Sequence, residues 1–257
     1  NLAIIVLNWN GADDALECIN SLAQQTLKPT IIIVDNHSHD DSVMRFEQYQ
    51  TEHPSVDCII IANNKNLGFA GGINTGLVYA REQGFEYIGV LNPDAVADKN
   101  WCRALVDELS SQPKCGIATG ILQRRDGKTL DTTGDFYTTW GLPGPRNRDE
   151  PVENAPSKPG EVFGATGGGA IYRAAIFDDI DMFDEDFFMY YEDVDLSFRA
   201  QLAGWKVRFT PKAIAYHKVG ASSKKVPGLA VYNTFKNLPL VFIKNVPGKL
   251  FWYIGLR

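Results

Sequence analysis

Four short apolar runs set the frame of the chain: Ala3–Leu7, Ile31–Val34, Cys58–Ile61 and Ile88–Leu91. Each runs straight into polar turn residues, respectively Asn8, Asp35-Asn36, Asn63 to Gly68, and Asn92-Pro93-Asp94. Unbroken Ile/Val-rich runs, separated by stretches of helical spacing, read as parallel strands covered on both faces. The pattern predicts an α/β fold with a mostly parallel central sheet and helices on both faces. Helices are predicted over Asp13–Leu27, with Leu16, Ile19, Leu22 and Ala23 on one stripe, and over Gly71–Gln83, Asn100–Gln112 and Glu192–Ala203. Further strands are predicted at Cys115–Gly120, Lys206–Phe209 and Ala213–Tyr216. The polar, proline-rich stretch 141–160 fits neither helix nor central strand and predicts a lid, a binding loop or disorder. In open α/β sheets ligands sit beyond the carboxyl ends of the strands, so the four polar clusters are expected to meet on one rim.

Composition adds bounds. With 257 residues, 44% hydrophobic and 22% charged, one large domain spanning 1–223 and a basic, aromatic extension over 224–257 are expected. Cys18, Cys58, Cys102 and Cys115 lack metal-like spacing and read as reduced and buried in a cytosolic protein. No signal peptide and no apolar run of about 18 residues is visible. The chain opens almost directly on a strand and stops abruptly, which reads as a trimmed piece of a longer protein. The net charge of −6 hides a split, because no acid follows Asp195. A basic end interleaved with Trp252 and Tyr253 suggests an anionic membrane surface or a diphosphate, with helix docking or a homodimer contact as the rival reading. No nucleic-acid partner is expected.

The segments AIIVLNWNG, IIIVDNHSHDDS, NNKNLGFAGGINTG, VLNPDAV, GATGGGAIYR, FFMYYEDVDLSFRAQLAGW and AYHKVGASS occur in this order. Together they resemble family 2 glycosyltransferases of the GT-A fold, within the rhamnosyltransferase-like branch, over Ala3 to about Ser223. The resemblance implies a nucleotide-sugar donor and inverting chemistry. It casts Asp35 as acceptor of the N3–H of uracil or thymine, where turn chemistry alone would give an Asx turn or cap. Leu7, Asn8 and Asn10 would line the same pocket, or simply form the turn. Asn66, Gly68 and Phe69 open a glycine-rich strand-to-helix junction whose backbone N–H groups can approach phosphate; a tight turn is the plainer reading. Asn74, on the first helical turn, would contact the nucleotide.

Asn92-Pro93-Asp94 stands where such enzymes carry a DxD metal motif, with Asn in place of the first acid. Asp94 and His217 are therefore the candidate ligands of a divalent metal, Mg²⁺ or Mn²⁺, completed by substrate phosphates and water. Glu192, Asp193 and Asp195 precede an amphipathic helix and suit its N-terminus. The resemblance makes Asp193 the general base and Glu192 a support of the acceptor pocket. The expected reaction is transfer of a deoxyhexose, L-rhamnose from dTDP-rhamnose, to a lipid-linked or growing surface polysaccharide. A UDP-sugar-dependent hexosyl- or galactofuranosyltransferase is the alternative within the family. From other classes come a nucleotidyltransferase, which would want basic residues in the Leu7–Gly11 turn, and a non-catalytic sugar-nucleotide-binding module, which would need neither Asp193 nor His217. The expected location is cytoplasmic, peripheral at the inner face of the cell membrane.

Overall fold

The computed structural model describes residues 1–218 and 228–255. The four apolar runs form β1 (Leu2–Asn8), β2 (Thr30–Asp35), β3 (Cys58–Ala62) and β4 (Tyr87–Leu91), paired in parallel in the order β3-β2-β1-β4. Their crossovers are α1 (Ala12–Ala23), α2 (Ser42–Glu52) and α3 (Gly68–Glu82). Alternate residues of β1 enter opposite layers of core: Leu2, Ile4 and Val6 pack with α1, whereas Ala3 and Ile5 pack with Ile73 and Leu77 of α3. Two buried faces are what a strand with no polar alternation requires. Helix α2 escaped the sequence reading because Met44 is exposed and only Ser42, Phe46 and Tyr49 are buried, too few to make a stripe.

Beyond β4 the sheet becomes mixed. Short β5 (Ala95–Ala97) and α4 (Trp101–Ser110) lead to β6 (Cys115–Arg124), β7 (Leu130–Thr132), β8 (Asp135–Tyr137), β9 (Pro143–Pro145) and β10 (Gly160–Glu161). Then come β11 (Gly169–Arg173), α5 (Ile176–Ile180), α6 (Glu192–Leu202) and β12 (Lys206–His217). Strand β11 lies antiparallel between β4 and β6, with Gly169 opposite Leu91 and Tyr172 opposite Ile117. Because β11 runs against its neighbours, it begins at the rim where they end, and the glycines before it reach the carboxyl edge of β4.

The two strands expected at 206–209 and 213–216 are one strand, β12, which runs parallel to β6 with a register jump between Phe209 and Ile214. Pro211, which cannot donate to a ladder, sits in the jump. Gly120 faces it; a Cβ there would lie 2.2 Å from the Ala213 carbonyl oxygen. After the jump β12 also pairs with β5, His217 opposite Ala95. The stretch 141–160 is not a free loop: β9 pairs with β8, and a short 3₁₀ turn spans Val152–Asn154. A Pro-Gly-Pro strand is possible because it pairs on one side only.

Two C-terminal helices close the chain, α7 (Leu229–Asn245) and α8 (Gly248–Gly255). The boundary expected at 223/224 lies outside the described residues. No described helix is long and apolar enough to cross a membrane.

Candidate active site

The strand ends converge as the rim argument requires. Asn8 pairs with Asp35 and Asp35 with Ala62, so the first three polar clusters are adjacent. Beside them opens a cavity of about 670 Å³. Leu7, Asn66, Gly68, Phe69, Asn92, Asp94, Glu192, Asp193 and His217 line it. Asn8, Asn10, Asp35 and Asn74 do not.

These four are held by neighbours. Asn8 Nδ2 donates to Asp35 Oδ1 at 2.9 Å, and the backbone N–H and hydroxyl of Ser38 donate to the same carboxylate at 2.9 and 2.6 Å. Asn10, at φ +52°, accepts from the His39 N–H at 2.7 Å. Asp35 is thus a fully engaged turn carboxylate, buried beneath the rim. Asn74 faces the other way: its amide bridges to the Phe183 backbone through both its oxygen and its nitrogen, and also reaches Glu185.

The glycine-rich junction differs from a phosphate cradle. Its N–H groups are taken by the protein itself: Leu67 donates to Asn36 Oδ1, Gly68 to Asn66 Oδ1, and both Phe69 and Ala70 to the Phe188 carbonyl. Gly68 is glycine for two reasons, φ +73° and contact with the Phe188 segment, where a Cβ would meet the carbonyl oxygen at 2.4 Å. The sequence shows the glycines but not which segment would occupy the space they leave.

At one end of the cavity His217 bridges two carboxylates. Its Nε2 lies 3.0 Å from Asp94 Oδ1 and its Nδ1 lies 2.8 Å from Asp131 Oδ2. Burial opposes charge on the ring, but the two carboxylates outweigh it and lift the His217 pKa to about 9. Asp131 in turn is held below the ordinary carboxylate range: burial acts the other way but is outweighed by His217 and Arg148, whose guanidinium lies 3.0 Å from Asp131 Oδ1. Asn92 Nδ2 lies 3.3 Å from His217 Nε2.

At the other end, Asp193 Oδ2 accepts the Gly167 N–H at 2.7 Å and Oδ1 accepts from Val194 at 2.8 Å. Burial raises its pKa, while those N–H groups hold the rise back. Glu192 beside it is pushed well up, by burial first and by Asp193 next, and its buried Oε2 has no hydrogen-bond partner among the described residues. Asp195, fully buried, is the structural member of the trio: it meets Arg199 at 2.8 Å, Asn245 at 2.7 Å and Lys244 at 3.1 Å.

The segment leading into the pair is bent hard. Phe188, Tyr190 and Tyr191 have φ of 62°, 71° and 71°, a conformation that costs non-glycine residues of order 1–3 kcal/mol each and persists only when surroundings enforce it. The enforcing group is Asn237 of α7, whose amide nitrogen lies 2.8, 2.9 and 2.8 Å from the carbonyls of Phe187, Met189 and Tyr190. Val241 packs with Phe187 and Val194. The opposite face of the two terminal helices exposes Tyr232, Phe235, Ile243 and Trp252. Lys236 is bound to the Asp186 carbonyl and Lys244 to Asp184 and Asp195.

Sequence reasoning missed Asp131, Asp135, Arg148 and Asn237. The first three lie in three-residue strands or turns without periodicity, where only two acids four apart, flanking a glycine, gave a signal. Asn237 gave a signal of another kind, as one of three asparagines (Asn233, Asn237, Asn245) at helical spacing on one side of α7, the side that the structure buries.

Comparison with known proteins bears on family and fold. The chain is 24% identical, over 249 residues covering 88% of it and 78% of its relative, to an N-acetylglucosaminyl-diphospho-decaprenol L-rhamnosyltransferase of Mycobacterium tuberculosis. In fold it is similar to a mannosyltransferase from Pyrobaculum calidifontis in complex with GDP-Man and Mn²⁺, at TM-score 0.69 and 16% identity, covering 98% of this chain and 67% of the other. It is also similar to GalNAc-T7 with UDP, GalNAc and Mn²⁺, at TM-score 0.69 and 13% identity, covering 84% and 43%. The fold is thus the GT-A fold. The description "Glycosyl transferase family 2" matches residues 3–181, more than half of the chain, and the protein belongs to that family.

Proposed function

We propose that the protein is an inverting glycosyltransferase that moves a deoxyhexose, L-rhamnose from dTDP-rhamnose, onto a hydroxyl of a lipid-linked or growing polysaccharide acceptor. The observation that carries the inverting reading is one cavity with a nitrogen–oxygen pair suited to a cation at one end, Asp94 and His217, and a backbone-held carboxylate, Asp193, at the other. The likeness to a rhamnosyltransferase supports the choice of sugar.

In this scheme the acceptor hydroxyl attacks the anomeric carbon while Asp193 takes its proton. The carbon–oxygen bond to the nucleoside diphosphate breaks, and the leaving group departs with the electron pair. Asp193 suits the task because burial makes it more basic than an exposed carboxylate, while the Gly167 N–H orients it. Inversion in a single displacement needs no second carboxylate as nucleophile.

The residues present fit a divalent cation. Metal-binding histidines characteristically give their other ring N–H to a carboxylate, and Asp131 holds that position on His217. Asp94 and His217 would be the protein ligands. Among the described residues no group of three or more acids, histidines or cysteines is placed to hold an ion, so diphosphate oxygens would complete the shell. When bound, the cation would neutralise charge on the departing diphosphate.

Titration calorimetry with UDP and dTDP, with and without Mn²⁺, tests both donor assignments. Asp94→Ala is expected to erase the metal dependence of binding. If Asp35 exchanges its bonds to Asn8 and Ser38 for the base on donor binding, Asp35→Ala is expected to weaken nucleotide binding by roughly 1.5–3 kcal/mol, the value of a hydrogen bond to a charged group. Unchanged affinity would remove Asp35 from base reading and leave it the turn carboxylate of β2. Turnover of dTDP-rhamnose, compared with UDP-hexoses, decides the sugar.

A further inference from the structure

The wall shared with Asp193 carries a carboxyl that the scheme above leaves idle. Asp135 begins β8, its backbone tied to Gly164 by N–H to carbonyl bonds of 2.8 and 3.3 Å in the two directions. The side chain lines the cavity and is 7% exposed. Three other acids around the site are engaged: Asp131 by His217 and Arg148, Asp193 by Gly167, Asp195 by Arg199 and Asn245. Glu192, the expected support of the acceptor pocket, also keeps one buried oxygen without a partner among the described residues. Among the described residues the Asp135 carboxyl makes no hydrogen bond and no ion pair.

Asp135 is nearly buried, yet its carboxyl opens only onto the cavity, where a ligand can supply the partner that the protein does not. Burial raises its pKa well above the ordinary range, Asp193 adds to the rise, and Arg148 offsets only part. The group therefore leans towards the neutral acid, which both donates and accepts, as a sugar hydroxyl does. Its location favours the acceptor. A Cβ placed on Gly164 would touch Ser197 of α6 at 3.2 Å and Asp135 at 3.4 Å, so Asp135 stands against the helix that opens with the Glu192-Asp193 pair. Pro143 and Pro145, on the strand paired with β8, give the same cavity an apolar wall for the C–H face of a sugar ring.

We propose that Asp135 binds the acceptor sugar, holding a ring hydroxyl near the one that attacks. The inference rests on the glycosyl-transfer reading. The test uses the full chain saturated with UDP or dTDP and titrated, by ligand-observed NMR, with octyl N-acetyl-β-D-glucosaminide and octyl β-D-glucoside. Asp135→Ala is expected to weaken the better of these glycosides by about tenfold, the effect of one lost buried hydrogen bond. Asp135→Asn, which still donates and accepts, is expected to keep most of the affinity. Nucleotide affinity should be unchanged in both variants.

The Asn variant should also melt higher than wild type at pH 7. The folded-state pKa of Asp135 is raised, so ionisation opposes folding as pH rises; neutral Asn removes that opposition, and the gain should vanish below the ordinary carboxylate range. Equal glycoside affinity of wild type and Asp135→Ala overturns the binding role; a lower melting temperature for Asp135→Asn overturns the neutral-acid form in which the carboxyl is said to bind. Weakened binding of a nucleotide sugar with unchanged glycoside binding moves the hydroxyl to the donor and overturns the acceptor assignment. A wild type that binds nucleotide but neither glycoside overturns this inference alone, whereas one that binds neither UDP nor dTDP overturns the glycosyl-transfer reading itself.

Discussion

Asp193→Asn is expected to lower kcat by about 10²–10⁴, the contribution of a positioned general base, while nucleotide binding measured by calorimetry stays at the wild-type value. The substitution is nearly isosteric, and the amide oxygen can still accept from Gly167, so lost turnover would reflect lost basicity and not a collapsed loop. The wild-type pH profile carries the same assignment. A base works only when deprotonated, and burial raises the pKa of Asp193, so activity should fall on the acid side through a midpoint above the ordinary aspartate value of about 3.9. Near wild-type turnover in Asp193→Asn would refute the assignment. Wild-type activity that persists down to about pH 4 would argue against the raised basicity.

The second large effect is expected at Gly68→Ala. The added methyl group meets two penalties, a left-handed backbone at φ +73° and a Phe188 carbonyl oxygen 2.4 Å away. The first costs roughly 1–2 kcal/mol, and forced overpacking costs typically about 1–3 kcal/mol. Together these predict a loss of several degrees in Tm, at roughly 2–4 °C per kcal/mol for a chain of this size. The same methyl group pushes on the segment that leads to Asp193, so kcat should fall by more than the loss of folded protein explains. Gly84→Ala is the control: Gly84 also has positive φ, at +71°, but nothing lies within 4 Å of its Cβ position, so it should lose stability without the added loss of kcat.

The rim was legible because parallel strands buried on both faces leave few options, so Asn8, Asp35 and the Asn92–Asp94 turn had to land on one edge. The approach of His217 to Asp94 could be read from motif order alone. Its geometry could not, since it depends on the jump at Pro211 and on the pairing of His217 with Ala95. Antiparallel β11 was hidden because its five residues, Gly-Ala-Ile-Tyr-Arg, follow a glycine cluster and hold too few apolar positions to show a strand pattern or its direction. The glycines before α3 were visible, but their neighbour, Phe188, lies about half the chain away in a segment whose positive φ values no propensity would suggest. The amide of Asn74 was read as facing a nucleotide and instead ties α3 to Phe183. Short strands such as β8 and β9 owe their shape to neighbours, and so the acids they present surface only in three dimensions.

The grip of α7 on the bent segment bears on how this protein can be shortened. The family match ends at residue 181, and the last motif residue of the cavity is His217, so motifs alone place the end of the useful piece soon after it. Such a piece would retain the rim, Asp94, His217 and Asp193, yet leave three carbonyls and the buried Asp195 carboxylate without the amides of Asn237 and Asn245. The shortest piece expected to work therefore runs through Asn245, and a helix that looks like an appendage in sequence is inherited together with the chemistry.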